Sequence, residues 1–259
     1  MKFDDLDNKM RIYETAADYC VLPDIYIAAR IDGRNFTRLT KEVGKFEAPF
    51  DIKFRDIMAE TTRHLMNCGF KVTYGYTQSD EISLLFDLDT DLFGRKLRKY
   101  NSILAGEASA KFSLLFGDIG VFDCRICQLP NKNTVIDYFR WRSEDAHRNA
   151  LNAHCYWMLR KNGVDKNEAT KQIENKSIAD KNELLFQNGL NFNDFPNWQK
   201  RGIGLYWKKE EKTGYNPNDK KEVKSERNQI YTDYELPMRD EYNIFIEKLL
   251  VNKTDISQE

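Results

Sequence analysis

The feature that most constrains the fold is a pair of apolar and aromatic runs within residues 70–87, separated by a short polar turn. Residues 78–81 form that turn and read Gln-Ser-Asp-Glu. Two such runs around a tight polar segment predict a β-hairpin. The hairpin would carry two adjacent carboxylates, Asp80 and Glu81, at its tip. Carboxylates in this position suit a hard cation such as Mg²⁺, although they could equally be a solvated turn.

A second apolar run also stops at a carboxylate. Residues 24–32 are apolar almost throughout and end at Asp32, which Gly33 follows directly. A nearly continuous apolar run of this length predicts a strand that is covered on both faces. The glycine would let the backbone come close to a ligand. The two acidic strand ends are either one shared site or two unrelated surface acids.

The order of the elements brings the two acidic ends together. Helices are predicted over residues 4–20, 51–67 and 93–116, and a further strand over residues 120–129. After the first helix the order is β-α-β-β-α-β, the ferredoxin-like arrangement that also forms polymerase and cyclase palms. Its first and third strands are antiparallel neighbours, so the end of one lies beside the start of the other. We therefore expect an α+β fold in which Asp32 and Asp80 are close.

The second half of the chain is predicted to be mostly helical, with one hairpin. We expect a palm catalytic domain over residues 1–130, and a C-terminal region over residues 131–259 that packs on it. Helices are predicted over residues 133–161, 165–175, 177–188 and 239–249, strands over 202–209 and 229–234, and a polar, mobile loop over 208–228.

Composition excludes several classes of protein. The chain has 259 residues and a net charge of −1, so no general basic surface draws nucleic acid to it. No apolar run approaches the length of a membrane span, and the acidic N-terminus argues against a targeting peptide. Five scattered cysteines predict a reducing, cytoplasmic location without a disulfide framework. Cys124 and Cys127 have a C-x-x-C spacing, but on a strand their sulfurs would diverge.

Phosphoryl transfer needs metal ligands and cations, and the chain has candidates for both. Asp32 and Asp80 could hold two Mg²⁺, with the Gly33 carbonyl completing a shell. Arg30 and Arg125 are costly inside apolar strands unless they are paired or bound.

Further cations lie on helices and near the first strand. Arg34 follows that strand, while Lys96 and Lys99 open the helix over residues 93–116, whose N-terminus favours anions. Lys181 and Asn182 lie in an amphipathic helix. They are either a phosphate clamp or its solvated face, and the pattern alone favours the solvated face.

Four segments together resemble one known family. The chain resembles the tRNA-histidine guanylyltransferase family, and within it the guanylyltransferase-like 3′-to-5′ polymerases. The segments are residues 30–36 (RIDGRNF), 76–83 (YTQSDEIS), 138–147 (YFRWRSEDAH) and 179–186 (ADKNELLF).

The resemblance implies an activity and a set of ligands. Family members add nucleotides to the 5′ end of tRNA: ATP or GTP activates the 5′-monophosphate, and the 3′-hydroxyl of an incoming nucleotide then attacks it. The expected cofactors are two Mg²⁺ and an activating ATP or GTP, the expected partners are tRNA and nucleoside triphosphates, and the expected assembly is a homotetramer without a membrane association. The resemblance also implies a role for individual residues. It implies metal ligation by Asp32, Gly33 and Asp80, and catalysis by Asp32, Asp80 and Glu81. It implies tRNA binding by His147 and Asn149, and nucleotide binding by Arg30, Arg34, Asn35, Phe36, Lys96, Lys99, Arg125, Lys181 and Asn182.

Two departures from the family pattern bear on the substrate. The guanylyltransferases proper have a His where this chain has Thr37, and their His-Ile-Asn-Asn-Leu-Tyr-Asn motif is only partly kept in residues 147–153. Both changes favour templated repair of 5′-truncated tRNA over the addition of one G to full-length tRNA-histidine. The alternatives are a nucleotide cyclase or signalling-nucleotide synthase on the same palm, and a non-catalytic RNA-binding protein.

Overall fold

A computed structural model describes the backbone of residues 2–216 and 221–251, and the side chains of residues 2–211 and 226–251. The middle of the predicted loop over residues 208–228, and the tail after Asn252, lie outside these ranges. The strands are β1 (Tyr26–Arg34), β2 (Val72–Gln78), β3 (Glu81–Phe86), β4 (Val121–Leu129), β5 (Ile203–Asn216) and β6 (Lys221–Asp233). The helices are α1 (Phe3–Thr15), α2 (Phe36–Arg38), α3 (Ile52–Asn67), α4 (Leu97–Phe116), α5 (Lys132–Lys161), α6 (Lys166–Ile173), α7 (Ile178–Gln187), α8 (Asn197–Arg201) and α9 (Arg239–Val251).

One six-stranded antiparallel sheet organises the described residues, in the order β4-β1-β3-β2-β5-β6. The first four strands have the ferredoxin-like order, and β5 and β6 extend the sheet beyond β2. The α+β palm predicted from the element order is therefore confirmed. Asp32 lies directly opposite Glu81 in the register of β1 and β3. The Gly33 amide donates a hydrogen bond to the Asp80 carbonyl at 3.0 Å, so the two acidic strand ends are neighbours.

Each face of the sheet packs against its own layer of helices. On β1, Ile27, Ala29 and Ile31 face a core that α3 and α4 cover. Tyr26 and Ala28 face the other core, which α5 and α9 cover. Successive strand residues alternate between faces, so Arg30 and Asp32 continue the second set and point to the side of α5.

Local capping signals explain where several helices begin. Asp51 accepts a hydrogen bond from the Phe54 amide at the start of α3, and Asn131 does the same for Thr134 at the start of α5. Ser177 and Asp180 form a reciprocal capping box at the start of α7. These side chains satisfy amide groups that a helix leaves unpaired at its first turn. Helices α5, α6 and α7 then pack around a third apolar cluster.

Several boundaries differ from the prediction, and each difference has a local cause. Helix α4 begins at Leu97 because Phe93 and Gly94 adopt left-handed backbone angles in the preceding 3₁₀ turn. Strands β5 and β6 extend into the polar stretch predicted as a loop, because their backbones pair with each other from Gly204 to Asn216. Main-chain pairing of this kind does not require apolar side chains. In the part of the chain described, no helix has the length and apolar character to cross a membrane.

Candidate active site

The acidic end of β1 and the turn before β3 form one cleft beneath α5. Asp32, Asp80 and Glu81 line it from the sheet, and Arg142, Asp145 and Asn149 line it from α5. The three α5 residues are spaced i, i+3 and i+7, which places them on one face of a helix. The structure thus brings together the two carboxylates that the topology predicted to be neighbours.

The turn between β2 and β3 has two residues, Ser79 and Asp80. Ser79 adopts a φ of 54°, in the left-handed region that residues other than glycine use sparingly. Its hydroxyl donates to the Asp80 carboxylate at 3.1 Å. The tight turn therefore places Asp80 in the cleft that Asp32 also lines.

Asp80 is the least compensated carboxylate of the cleft. It forms no ion pair with any side chain that the structure describes, whereas Asp32 lies 3.9 Å from both Arg30 and Arg125. Burial raises the pKa of Asp80 above its usual value, and the negative charges of Asp32 and Glu81 raise it further. A partly buried carboxylate without a counter-charge is the condition in which a bound cation gains most.

Glu81 has a different environment from Asp80, although the two are adjacent in sequence. Arg30 reaches it at 2.5 Å, and one nitrogen of Arg142 contacts its two carboxylate oxygens at 3.0 and 3.1 Å. Two guanidinium groups therefore already neutralise Glu81. It is predicted to be catalytic, but in this conformation it is not a free metal ligand or base.

Two predicted residues beside Asp32 pack against each other. A Cβ atom on Gly33 would lie 2.5 Å from the Phe36 ring, so the glycine makes room for that ring. Phe36 is 3% exposed and packs against Phe112 and Phe122. Its ring therefore belongs to the core, and the prediction that this position binds a nucleotide would have to rest on its backbone. Arg34 and Asn35 lie outside the core, on the exposed rim after Asp32.

Lys96 and Lys99 lie at the opposite end of the sheet. Cys20, just before β1, bridges to Lys96, and the Lys96 ammonium pairs with Asp18 at 2.7 Å. Strand β3 starts at the acidic cleft, and α4 begins shortly after β3 ends. The connection to α4 therefore starts at the opposite end of the strands from the cleft. The structure therefore does not bring these two lysines together with Asp32, and their predicted role in nucleotide binding stays a prediction.

The remaining predicted residues divide between the cleft and the helical layer. Asn149 lies in the cleft and donates to Asp145 at 3.2 Å. His147 instead packs edge-on against Phe192, and burial lowers its pKa. Lys181 and Asn182 lie on α7, where the Asn182 amide bonds to its own helix, and neither lines the cleft.

An aromatic pocket that the sequence reasoning missed adjoins the cleft. It shares Pro49, Phe50, Gln78 and Ser79 with the cleft, so the two are continuous. Its other walls include Phe46, Phe54, Trp157 and Trp198, with Lys41 near the ring of Trp157. These residues come from separate segments, and no sequence motif joins them. Arg142 and Asp145 could have been found, because their i, i+3 spacing marks a polar stripe on α5.

The two cysteines of the C-x-x-C segment point to opposite faces of the sheet, as predicted. Cys124 packs against the core under α3 and α4, and Cys127 packs against the core under α5. Burial raises the pKa of Cys124 to about 12 and that of Cys127 above its usual value. Neither thiol is activated toward redox or metal chemistry.

Comparison with known proteins agrees with this geometry. The family described as tRNAHis guanylyltransferase (Thg1) matches residues 7–130, and the Thg1 C terminal domain matches residues 133–246. The probable tRNA(His) guanylyltransferase of Drosophila melanogaster is 31% identical over 202 residues, covering 74% of this chain and 70% of that protein. The tRNA(His) guanylyltransferase of Schizosaccharomyces pombe is 31% identical over 192 residues, covering 70% of this chain and 73% of that protein.

Solved structures of related proteins are similar over most of the chain. A bacterial tRNA(His) guanylyltransferase (Thg1)-like protein in complex with ATP has a TM-score of 0.74 and 28% identity, covering 95% of this chain and 98% of that one. The complex of such a protein with GTP has a TM-score of 0.71 and 26% identity, covering 95% and 99%. The Saccharomyces cerevisiae enzyme has a TM-score of 0.70 and 26% identity, covering 75% and 91%. This chain therefore belongs to the tRNAHis guanylyltransferase family, nucleotidyltransferases that add nucleotides to the 5′ end of tRNA in the 3′-to-5′ direction.

Proposed function

We propose that this chain repairs tRNAs truncated at the 5′ end, adding nucleotides that the opposite strand of the acceptor stem templates. The observation that carries the proposal is the pair of departures at Thr37 and at residues 147–153, where the guanylyltransferases proper have other residues. The extent of the structural likeness supports it. The likeness covers 95% of this chain for the bacterial Thg1-like proteins and 75% for the yeast guanylyltransferase.

We infer that the cleft holds Mg²⁺ between Asp32 and Asp80, with the Gly33 carbonyl as a further ligand. Among the described residues no group of three or more His, Cys, Asp or Glu side chains forms a ready-made metal site. The donors nevertheless fit Mg²⁺, which proteins often bind through one or two carboxylates while water and substrate phosphates supply the rest. The unpaired charge of Asp80 beside Asp32 supports this assignment. When bound, two such ions would stabilise charge on the attacking and leaving oxygens.

The surroundings of the carboxylates suit a nucleoside triphosphate. Arg30 and Arg125 flank Asp32 and would balance phosphate charge, and Arg125 is 56% exposed, with Asp123 3.7 Å away. The adjoining aromatic pocket would hold the base, with Phe50 at the junction of pocket and cleft. Relatives of this chain have been solved with ATP and with GTP, which supports binding of either triphosphate.

The proposed reaction has two phosphoryl transfers at one site. A 5′-phosphate oxygen of the tRNA attacks the α-phosphorus of ATP or GTP, and pyrophosphate leaves. The 3′-hydroxyl of the incoming nucleotide then attacks the activated 5′ phosphate, and the nucleoside monophosphate leaves. In both steps the arginines would hold the phosphates in line, and α5 would shield the cleft from water.

The decisive experiment compares a tRNA lacking its first nucleotide with the same tRNA at full length. Purified protein with Mg²⁺, ATP and the four nucleoside triphosphates should extend the truncated tRNA with the nucleotide complementary to position 72. Changing position 72 should change the nucleotide added. Addition of a single G to full-length tRNA-histidine, together with no addition that follows position 72 in the truncated tRNA, would refute templated repair. Labelled GTP without RNA tests the cyclase alternative, which predicts a cyclic product.

The partner residues and the assembly remain proposals. Asn149 in the cleft is the better placed of the two residues expected to bind tRNA, because His147 faces Phe192.

We also infer a homotetramer and a cytoplasmic location. Helix α1 has no residue buried within the chain, and it exposes Phe3, Met10 and Tyr13, a surface that assembly could cover. Light scattering on the purified chain tests the tetramer.

A further inference from the structure

Glu81 is held by two arginines that come from different halves of the chain. Arg30 lies two residues before Asp32 on β1, and its guanidinium is 2.5 Å from the Glu81 carboxylate. Arg142 comes from α5 and contacts both oxygens of the same carboxylate. The first residue of β3 is thereby tied to a helix outside the βαββαβ core.

Arg142 is held as firmly as the carboxylate it binds. Its side chain is 3% exposed, its second terminal nitrogen contacts Asp145 at 3.4 Å, and its guanidinium stacks 3.7 Å from the centre of the Trp141 ring. A guanidinium buried this deeply is costly unless it stays paired, so its position is well determined. Among the described residues its Nε atom has no hydrogen-bond partner, so Glu81 and Asp145 are the acids that hold it beside the Trp141 ring.

The position of Glu81 sets the position of the metal-binding carboxylates. Glu81 lies opposite Asp32 in the β1–β3 register and directly follows Asp80. A sideways shift of Glu81 would therefore move both aspartates relative to each other. Displacements of about 1 Å in an active site can cost about 100-fold in rate even when the chemical groups are intact.

We propose that Arg142 is a positioning residue that acts through Glu81, so that α5 completes the palm's active site without contacting the substrate. This inference rests on the proposed function only in that Asp32 and Asp80 are taken to carry the reaction. It assigns Glu81 the role of an anchor whose charge the two arginines balance. The aspartates then remain the carboxylates free to bind Mg²⁺.

A double-mutant cycle tests the proposal. Nucleotide addition to the truncated tRNA is measured for the wild type, Glu81→Gln, Arg142→Gln and the double variant, together with melting temperatures. Each single variant should lose about 100-fold in kcat, with KM for the triphosphate within about threefold of the wild type. The double variant should also lose about 100-fold, because removing Arg142 has no further effect once Glu81 is changed. Arg142→Lys keeps the buried charge but cannot contact both acids, so its kcat should be intermediate.

Arg140→Gln is the matched control, since Arg140 lies on the same helix and pairs with Glu144 at 2.7 Å away from the cleft. It should keep wild-type kinetics. Losses that multiply to about 10,000-fold in the double variant would overturn the proposal, and so would a raised KM in Arg142→Gln, which indicates direct contact with a substrate phosphate. Wild-type kcat per folded molecule in Arg142→Gln or Arg142→Lys would show a purely structural role. An inactive wild type would instead refute the proposed function, and the melting-temperature cycle would still report whether Glu81 and Arg142 are coupled.

Discussion

The two ends of the central strands place similar aspartates in opposite electrostatic settings. At the end of the sheet where α4 begins, Asp18 is 10% exposed and pairs with Lys96 and Arg98. Those hydrogen bonds hold its pKa well below the usual range. At the other end Asp80 has no such partner among the described residues, and burial raises its pKa.

The difference lies in which carboxylate has a counter-charge within the described chain. The charge of Asp18 is already paired, so it ties the chain before β1 to the start of α4 and has little affinity left for a ligand. The charge of Asp80 has no such partner among the described residues, which makes it the better candidate for binding a cation. Perturbed carboxylates in a cleft are candidates for function for this reason.

Replacing Asp80 should abolish activity without unfolding the protein. Asp80→Asn is expected to lower nucleotide addition by about 1,000-fold or more, because it would remove the proposed ligand of an ion that stabilises transition-state charge. The melting temperature should stay the same or rise, since the variant no longer buries an uncompensated charge. Asp18→Asn is the matched control and should keep addition within about twofold of the wild type. If Asp80→Asn retains nucleotide addition, Asp80 is no more important for activity than Asp18.

Mg²⁺ should stabilise the wild type through the acidic cleft. At about 100 times its dissociation constant the ion adds about 2.7 kcal/mol to the free energy of unfolding, which corresponds to about 5 °C in melting temperature. Asp80→Asn should lose this shift and Asp18→Asn should keep it. Thermal melts with MgCl₂, with KCl at equal ionic strength, and with EDTA measure the effect. An equal shift in both variants would place the ion elsewhere.

The aromatic pocket beside the acidic cleft should contribute to binding of the triphosphate, whereas an exposed ring near the opposite end of the sheet should not. Phe50→Ala is expected to raise KM for the activating triphosphate about tenfold, since loss of one stacking contact costs about 1–3 kcal/mol. Phe93→Ala removes an exposed ring near the opposite end, beside Lys99, and should leave KM unchanged. Steady-state kinetics with ATP and GTP compare the two variants. If Phe50→Ala has the same KM as Phe93→Ala, the base does not bind in this pocket.

The ion pairs of Asp18 should give a small stability effect that depends on pH. Because its folded-state pKa is lowered, Asp18 contributes stability above its unfolded pKa of about 3.9 and loses it as the pH falls further. Asp18→Asn should therefore be slightly less stable than the wild type at pH 7, and this difference in stability should begin to narrow as the pH falls below about 4. Urea unfolding at pH 7 and pH 3.5 measures it. If the difference in stability between Asp18→Asn and the wild type widens in acid, the ion pairs of Asp18 are not its cause.

Local pattern was enough to predict the main architecture. The apolar runs, the tight turn after Gln78 and the helical periodicities indicated the β-α-β-β-α-β order, and that order alone made Asp32 and Asp80 neighbours. The same reasoning indicated that Cys124 and Cys127 diverge. These features depend on the alternation of side chains along one element and on the direction of its neighbours, both of which a sequence contains.

Other features were decided only when the elements packed together. Phe36 follows the acidic strand end like a binding residue, yet its ring fills the core beneath Gly33. Lys96 opens a helix that the sequence alone does not place, and the direction of the crossover puts it beside Asp18. His147 and Arg142 lie on one helix, and only the packing of α5 decides that Arg142 faces Glu81 while His147 faces Phe192. Periodicity defines the faces of a helix, but which neighbour each face meets depends on contacts between residues far apart in the chain.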